Sequence, residues 1–326
     1  MLSPHEALLR LAPLLPEDVL WQSRRWLAAG HWELAGRAVV MSLADHGIDV
    51  PLGLREVLAS AGGATTPLLS LLRDDESGDT PAWEFVDERA RDVLVPVAAS
   101  AVVTEVLSAT PGEHTAWQVW RVGTIEVPGI PPRLVHLVET TATMEGAAEL
   151  ASRLGDALVE IGLVSPAVEV FSPETSLPDY QTLALISGRE VFASQPPPVP
   201  RLAELDEDRV RLFDPANAVD TGDRDEELGY LAGGHPLVES ALPGYDLLDD
   251  SAGRVVPGGL LTDGIWVWPA ALGYYLDRYG VPIPTELSAH VRAAETRPLV
   301  PSRREWLATV ALVLDAQQEG VTPAAG

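Results

Sequence analysis

Few residues in this chain have types and spacings that could do chemistry. His31-Trp32-Glu33 has the His-x-Glu form of zinc deaminases, where a metal-bound water attacks a base and the glutamate moves the proton. Those sites also need a Pro-Cys-x-x-Cys element. The chain has no cysteine, so the triplet reads as an exposed helix start. Asp223-x-Asp225-x-Glu227 has the early oxygen spacing of a calcium loop, but Leu228 stands where a sharp turn demands glycine. Gly234 stands where a bidentate glutamate belongs, and a solvated acidic helix start is the better reading. His114 beside Glu113, His136 and His290 could enter a nonlocal Ser-His-Asp arrangement, yet neither a Gly-x-Ser-x-Gly elbow nor a His-Glu-x-x-His pair accompanies them. His136 lies in an apolar run and reads as a satisfied core histidine. Asp249-Asp250 and Asp263 offer carboxylates of the kind glycoside and metal-assisted hydrolysis use, but an acidic composition produces such pairs by itself. No catalytic, cofactor-binding or metal-ligating residue is assigned, and no cofactor is expected.

Two compositional absences exclude more than any motif includes. All 22 basic residues among 326 are arginine, and there is neither lysine nor cysteine. Thiolate nucleophiles, disulfides and cysteine-held zinc are therefore excluded, as are Walker, kinase and Schiff-base lysines. Codon bias in a GC-rich genome explains arginine-only basicity. The formal net charge of −26 repels phosphate backbones, so no nucleic-acid partner is expected, whereas a basic protein would be drawn in. Although 46% of residues are hydrophobic, no run reaches the roughly 18 needed to span a bilayer. The first residues lack the basic and apolar regions of a signal peptide, and a cytoplasmic location is expected.

The elements that must position these residues follow from periodicity. Ser3, Pro4 and Glu6 form a capping box, and helices follow near Pro16 to Gly30, Trp32 to Leu43 and Leu54 to Ala59. A charged segment from Arg73 to Pro81 reads as a linker. Strands are expected at Val93–Val97, Thr115–Gly123, Leu134–Val138, Val168–Phe171 and Glu190–Ala193, with a turn at Gly129–Pro132 and helices at Met144–Ile161 and Pro178–Ile186. This predicts a mixed sheet backed by helices. Gln195 to Pro200 is an extended connector. Beyond it, Val210–Phe213 and Tyr245–Asp250 read as strands, Asp223–Leu231 as a helix start, and Gly233 to Pro236 as a break. Helices are expected at Pro269–Tyr279, Thr285–Ala294 and Ser302–Gln318, and a loose tail at Thr322–Gly326. The expected fold is α+β in three parts: a helical domain at 1–72, an α/β sheet domain at 82–194 and an α+β domain at 204–320 with a central tryptophan hairpin.

That hairpin, Val256 to Pro269 with the helix through Tyr279, organises the last part. Trp266 and Trp268 point to one face of a strand and Ile265 and Val267 to the other, so both faces are apolar and a central strand is expected. The turn at Asp263-Gly264 and the acidic approach at Asp249-Asp250 are then the surface candidates. From Glu204 to Asp250 there are 14 acidic residues against three arginines.

The run Thr262-Asp263-Gly264-Ile265-Trp266-Val267-Trp268-Pro269, followed by Tyr274-Tyr275-Leu276 and preceded by Leu177-Pro178-Asp179-Tyr180-Gln181, resembles a largely uncharacterised family of high-GC Gram-positive bacteria. Acidic proteins with comparable hairpins also resemble immunity proteins of polymorphic toxin systems. The leading expectation is a non-catalytic acidic protein that binds a basic protein, in the manner of an immunity protein or antitoxin. Its candidate contact residues are Asp223, Asp225, Glu226, Asp249, Asp250, Asp263, Trp266 and Trp268. The alternatives are a hydrolase with a nonlocal Ser/His/carboxylate site and a structural component of a larger assembly.

Overall fold

The proline run at 195–200 ends one folding unit. In the computed structural model the chain divides into Met1–Pro196 and Pro197–Gly326. The structure describes residues 2–51, 53–63, 65–75, 83–86, 97–123, 132–240, 242–294 and 297–318. The expected strand at Val93–Val97 lies outside the described residues except for Val97, which is the first residue of a helix; the turn at Gly129–Pro132 except its last residue, most of the Arg73–Pro81 linker and the tail at 322–326 lie outside them too. The fold is α+β.

The first unit begins with α1 (Pro4–Arg10), α2 (Glu17–Ala28) and α3 (Trp32–Asp45), then β1 (Val50–Pro51), α4 (Arg55–Ala59), α5 (Thr65–Leu69), β2 (Asp74–Asp75) and β3 (Trp83–Val86). The Ser3 capping box forms on both sides, with Glu6 N–H on Ser3 Oγ and Ser3 N–H on Glu6 Oε2. Next come α6 (Val97–Ser108), β4 (His114–Gly123), β5 (Arg133–Thr140), α7 (Met144–Glu160), β6 (Ala167–Phe171), α8 (Asp179–Ile186) and β7 (Arg189–Ala193). The sheet order is β3-β4-β5-β6, with β7 also antiparallel to β4, while β5 and β6 run parallel across the α7 crossover.

Alternation along β4 divides the unit. Ala116 and Trp120 pack with Val168 and Val170 against Val103 of α6 and Leu154 of α7. Arg121 faces the opposite side, where its guanidinium meets Glu17 of α2 and Tyr180 of α8. The helical segment expected to be a separate domain therefore covers the second face of the sheet, and both lie in one unit. A sheet with two apolar faces must be covered twice, which the first helices accomplish. Helix α6 is absent from the expectations because Val-Ala-Ala-Ser-Ala-Val-Val has no polar face to set a helical period.

The second unit contains β8 (Arg201–Leu202), α9 (Glu207–Arg211), α10 (Thr221–Ala232), β9 (His235–Val238), β10 (Gly244–Tyr245), β11 (Arg254–Val256), β12 (Leu260–Thr262), β13 (Trp266–Pro269), α11 (Ala270–Tyr279), α12 (Thr285–Ala293) and α13 (Arg303–Gln318). Its main sheet has the order β8-β13-β12-β9. The expected strand at Val210–Phe213 is instead the end of α9 and the turn after it. Asp206 caps that helix through Arg209 N–H, and Glu207 pairs with Arg211 one turn on. The expected strand at Tyr245–Asp250 shortens to β10, because Asp246 and Asp249 turn back on their own backbone. The expected break at Gly233 to Pro236 runs into β9, an edge strand, the place where proline is tolerated.

Strand β13 sits between helical layers. Trp266 and Trp268 pack with Tyr230 and Leu231 of α10 and Leu287 and Val291 of α12, while Val267 packs with Leu260 and with Val313 of α13.

Candidate functional site

The β12–β13 turn is held by its own side chains. Thr262 Oγ1 accepts from Gly264 N at 2.9 Å and donates to Trp266 O at 2.7 Å. Asp263 Oδ1 accepts from the amides of Ile265 and Trp266 at 2.9 and 2.7 Å. Gly264 has φ +89°, and a Cβ there would meet Pro301 Cβ at 2.9 Å, so the position requires glycine twice over. The Thr-Asp-Gly-x-Trp run is thus a turn lock.

The other oxygen of Asp263 gathers distant groups. Oδ2 accepts from Tyr230 Oη of α10 at 2.7 Å and from His290 Nε2 of α12 at 2.6 Å. Burial by itself would raise the Asp263 pKa, but the Trp266 amide, the Tyr230 hydroxyl, the Ile265 amide and His290 hold it below the usual carboxylate value. Burial, and then its bond to Asp263, raises the Tyr230 pKa, which makes that hydroxyl a donor rather than a nucleophile. His290 is half-buried between the Tyr230 and Trp266 rings. A histidine and a carboxylate named from sequence therefore do meet, but no serine joins them among the described residues. Ser288, on the same helix, donates its hydroxyl to Glu227 and accepts from Arg292. His114 bonds Thr140 and the Thr110 carbonyl, and His136 donates Nδ1–H to Ala167 O within the sheet.

A second buried carboxylate, Asp246, accepts from Tyr274 Oη at 2.8 Å and Tyr279 Oη at 2.6 Å, while Leu247 N–H donates to Tyr275 Oη at 3.0 Å. Burial opposes ionisation here too, and the Tyr279, Leu248 and Tyr274 donors outweigh it, so the Asp246 pKa is lowered. The tyrosine run of α11 thereby anchors the 245–250 loop. Neither Tyr230 nor Asp246 had a sequence signal. Each acts through a partner about 30 residues away.

The eight contact candidates separate by burial. Trp268 is 0% exposed, Trp266 5% and Asp263 7%, so the aromatic row and the turn carboxylate face inward rather than towards a partner. The expectation of Asp263-Gly264 as a surface turn is corrected, because α10 and α12 supply donors that draw the carboxylate inside. Asp249 is half-buried, bonded to Ser251 and paired with Arg278. Asp250 is exposed, as are Asp223, Asp225 and Glu226, and these last three make no ion pair among the described residues. Glu227, the third carboxylate of the calcium-like spacing, is buried on Ser288, and no group of metal-ligating side chains occurs among the described residues. Of the 14 acidic residues between 204 and 250, eleven are exposed.

The first unit has its own buried polar set. Glu17, Arg24, Arg121, Glu169, Tyr180 and Gln181 lie between the sheet and α1, α2 and α8, with Gln181 Nε2 donating to Glu169 Oε2 at 2.8 Å. Burial pushes the Glu169 carboxyl up to about 7, against the pull of Arg24. Burial pushes His136 down to about 4.

No helix among the described residues is long and apolar enough to cross a membrane. No family model, curated protein or solved structure matches the chain.

Proposed function

We propose that this chain is a non-catalytic binding protein whose second unit presents an acidic surface to a basic protein partner. The observation that carries the reading is α10, where Asp223, Asp225 and Glu226 stand exposed and without an ion pair among the described residues, within a stretch bearing eleven exposed carboxylates. Unpaired surface carboxylates contribute little to folding, and such a field speeds encounter with a cationic partner. The groups that could have done chemistry nearby, Asp263, Tyr230 and His290, are committed to one another. The analogy with immunity proteins supplies the kind of partner, a basic toxin.

The test is capture from native lysate of the source organism at low and high salt, using the wild-type chain and the D223N/D225N/E226Q variant. A partner held at low salt by the wild type, and released by salt or by the variant, is expected. Recovery of no salt-sensitive partner, or equal recovery by the variant, refutes the reading.

A further inference from the structure

Beside the acidic helix lies an open apolar groove of about 440 Å³ between α10 and α11. Leu228 and Leu231 of α10, Leu261 of β12 and Trp268 of β13 line it, with Gly273 in the α11 wall and Asp277 exposed on the rim. Gly273 is mid-helix, where glycine is worse than alanine, and a Cβ there would meet nothing within 4 Å. Folding therefore gives no reason for it. Gly229 on α10 is likewise free of neighbours, and it lies three residues before Ala232, another groove residue, on the same helix face. Gly273 keeps the α11 wall low where a Cβ would fit, and Gly229 stands on the exposed side of α10 beside the groove. Asp225 extends the α10 groove face by a further turn, so carboxylates flank an apolar floor.

We infer, resting on the binding reading above, that this groove docks an amphipathic helix of a basic protein. Its apolar face lies on the accessible lining, the half-buried Leu228 and Leu261 with Ala232, and its arginine or lysine flanks meet Asp225 and Asp277. Charge selects this occupant. A second copy of the chain would bring another −26 to the same surface, and an anionic lipid surface would be repelled in the same way. A groove between two helices with small wall residues accepts a third helix through its i, i+3, i+4 and i+7 side chains.

The test uses the full-length chain and a fluorescent five-turn peptide of about 18 residues, with leucine on one face and arginine flanking it. A peptide of the same composition in scrambled order, without an apolar face, serves as control. In fluorescence anisotropy the patterned peptide should bind at least about tenfold more tightly than the scrambled one. Gly273→Leu, with Ala232→Leu as a second groove-filling variant, should remove that advantage without lowering Tm. Equal binding of the two peptides, or full binding by a folded groove-filled variant, overturns the groove. If D223N/D225N/E226Q still weakens both peptides in that event, the acidic-surface reading survives. If it weakens neither, both readings fall.

Discussion

Replacing Asp263 tests whether the hairpin turn is the mechanical centre of the second unit. Asp263→Ala removes the acceptor for four donors: the amides of Ile265 and Trp266, the Tyr230 hydroxyl and His290 Nε2–H. Ile265 is exposed and His290 half-buried, so water recovers part of what those two lose. Trp266 and Tyr230 are buried, and each stranded donor there costs about 1–3 kcal/mol, giving about 2–6 kcal/mol in all. A typical domain has about 5–15 kcal/mol of stability, so the loss would be large. Asp263→Asn keeps an oxygen for the two amides and gives up the charge, and it should cost about 1–2 kcal/mol. Because two units need not unfold as one transition, the assay is hydrogen exchange at the Ile265 and Trp266 amides beside denaturant unfolding. The folded Asp263 pKa lies below its unfolded value, so its contribution is full above about pH 4 and is lost as pH falls through the folded value. Wild-type hairpin protection should therefore fall in acid, and the Asn variant should lack that step. A cost of less than about 1 kcal/mol for alanine, equal losses for Asn and Ala, or an acid step retained in Asn would refute the reasoning.

Two further perturbations address the folds of the two units. In the first, Glu169 titrates at about 7 against 4.5 when unfolded, so its contribution is full below pH 4.5 and is lost as pH rises to 7. His136 titrates at about 4 against 6.5, so its contribution is full above pH 6.5 and is lost as pH falls towards 4. Each is worth about 3 kcal/mol, and between pH 4.5 and 6.5 the two oppose one another. Glu169→Gln should therefore leave a stability that climbs with pH across that range, read as the shift in urea midpoint between its ends; an unchanged slope would show that the carboxyl is already ionised. In the second unit, Gly264→Ala should cost at least about 2 kcal/mol, through positive φ and the clash with Pro301, and a Tm within error of wild type would remove the turn lock.

What was legible in the sequence was local. The Ser3 and Ser302 capping boxes, the helix at Met144 and the alternation along Thr115 to Gly123 each depend on neighbours within a turn or a strand. The strand parity of Trp266 and Trp268 was also local, and it gives the sandwiched strand observed. The misreadings came from distant or competing forces. Val210 to Phe213 has strand-like composition, but Asp206 and the Glu207–Arg211 pair draw its first two residues into a helix. Asp263 looked like a turn carboxylate in solvent, since nothing near it in sequence foretold Tyr230 and His290. The joining of the first helices to the sheet was equally hidden. It rests on Gln181 bonding both Glu169 and the Leu9 carbonyl, residues far apart in the chain.

Apart from the groove wall at Gly273 and its rim at Asp277, the most distinctive run of the chain, from Thr262 through Tyr279, serves the fold. Its threonine, aspartate and glycine lock a turn, its tryptophans fill a core and its tyrosines hold a loop on Asp246. The carboxylate and hydroxyls of the run are answered from within the second unit, while the buried Trp268 indole N–H has no hydrogen-bond partner among the described residues. The exposed carboxylates without an ion pair among the described residues, Asp223, Asp225 and Glu226 on α10, and the open space at Gly273 belong to no motif at all. A binding surface made of charge and vacant space leaves only composition as its sequence trace. On the binding reading proposed above, the acidity of residues 204–250 is that trace.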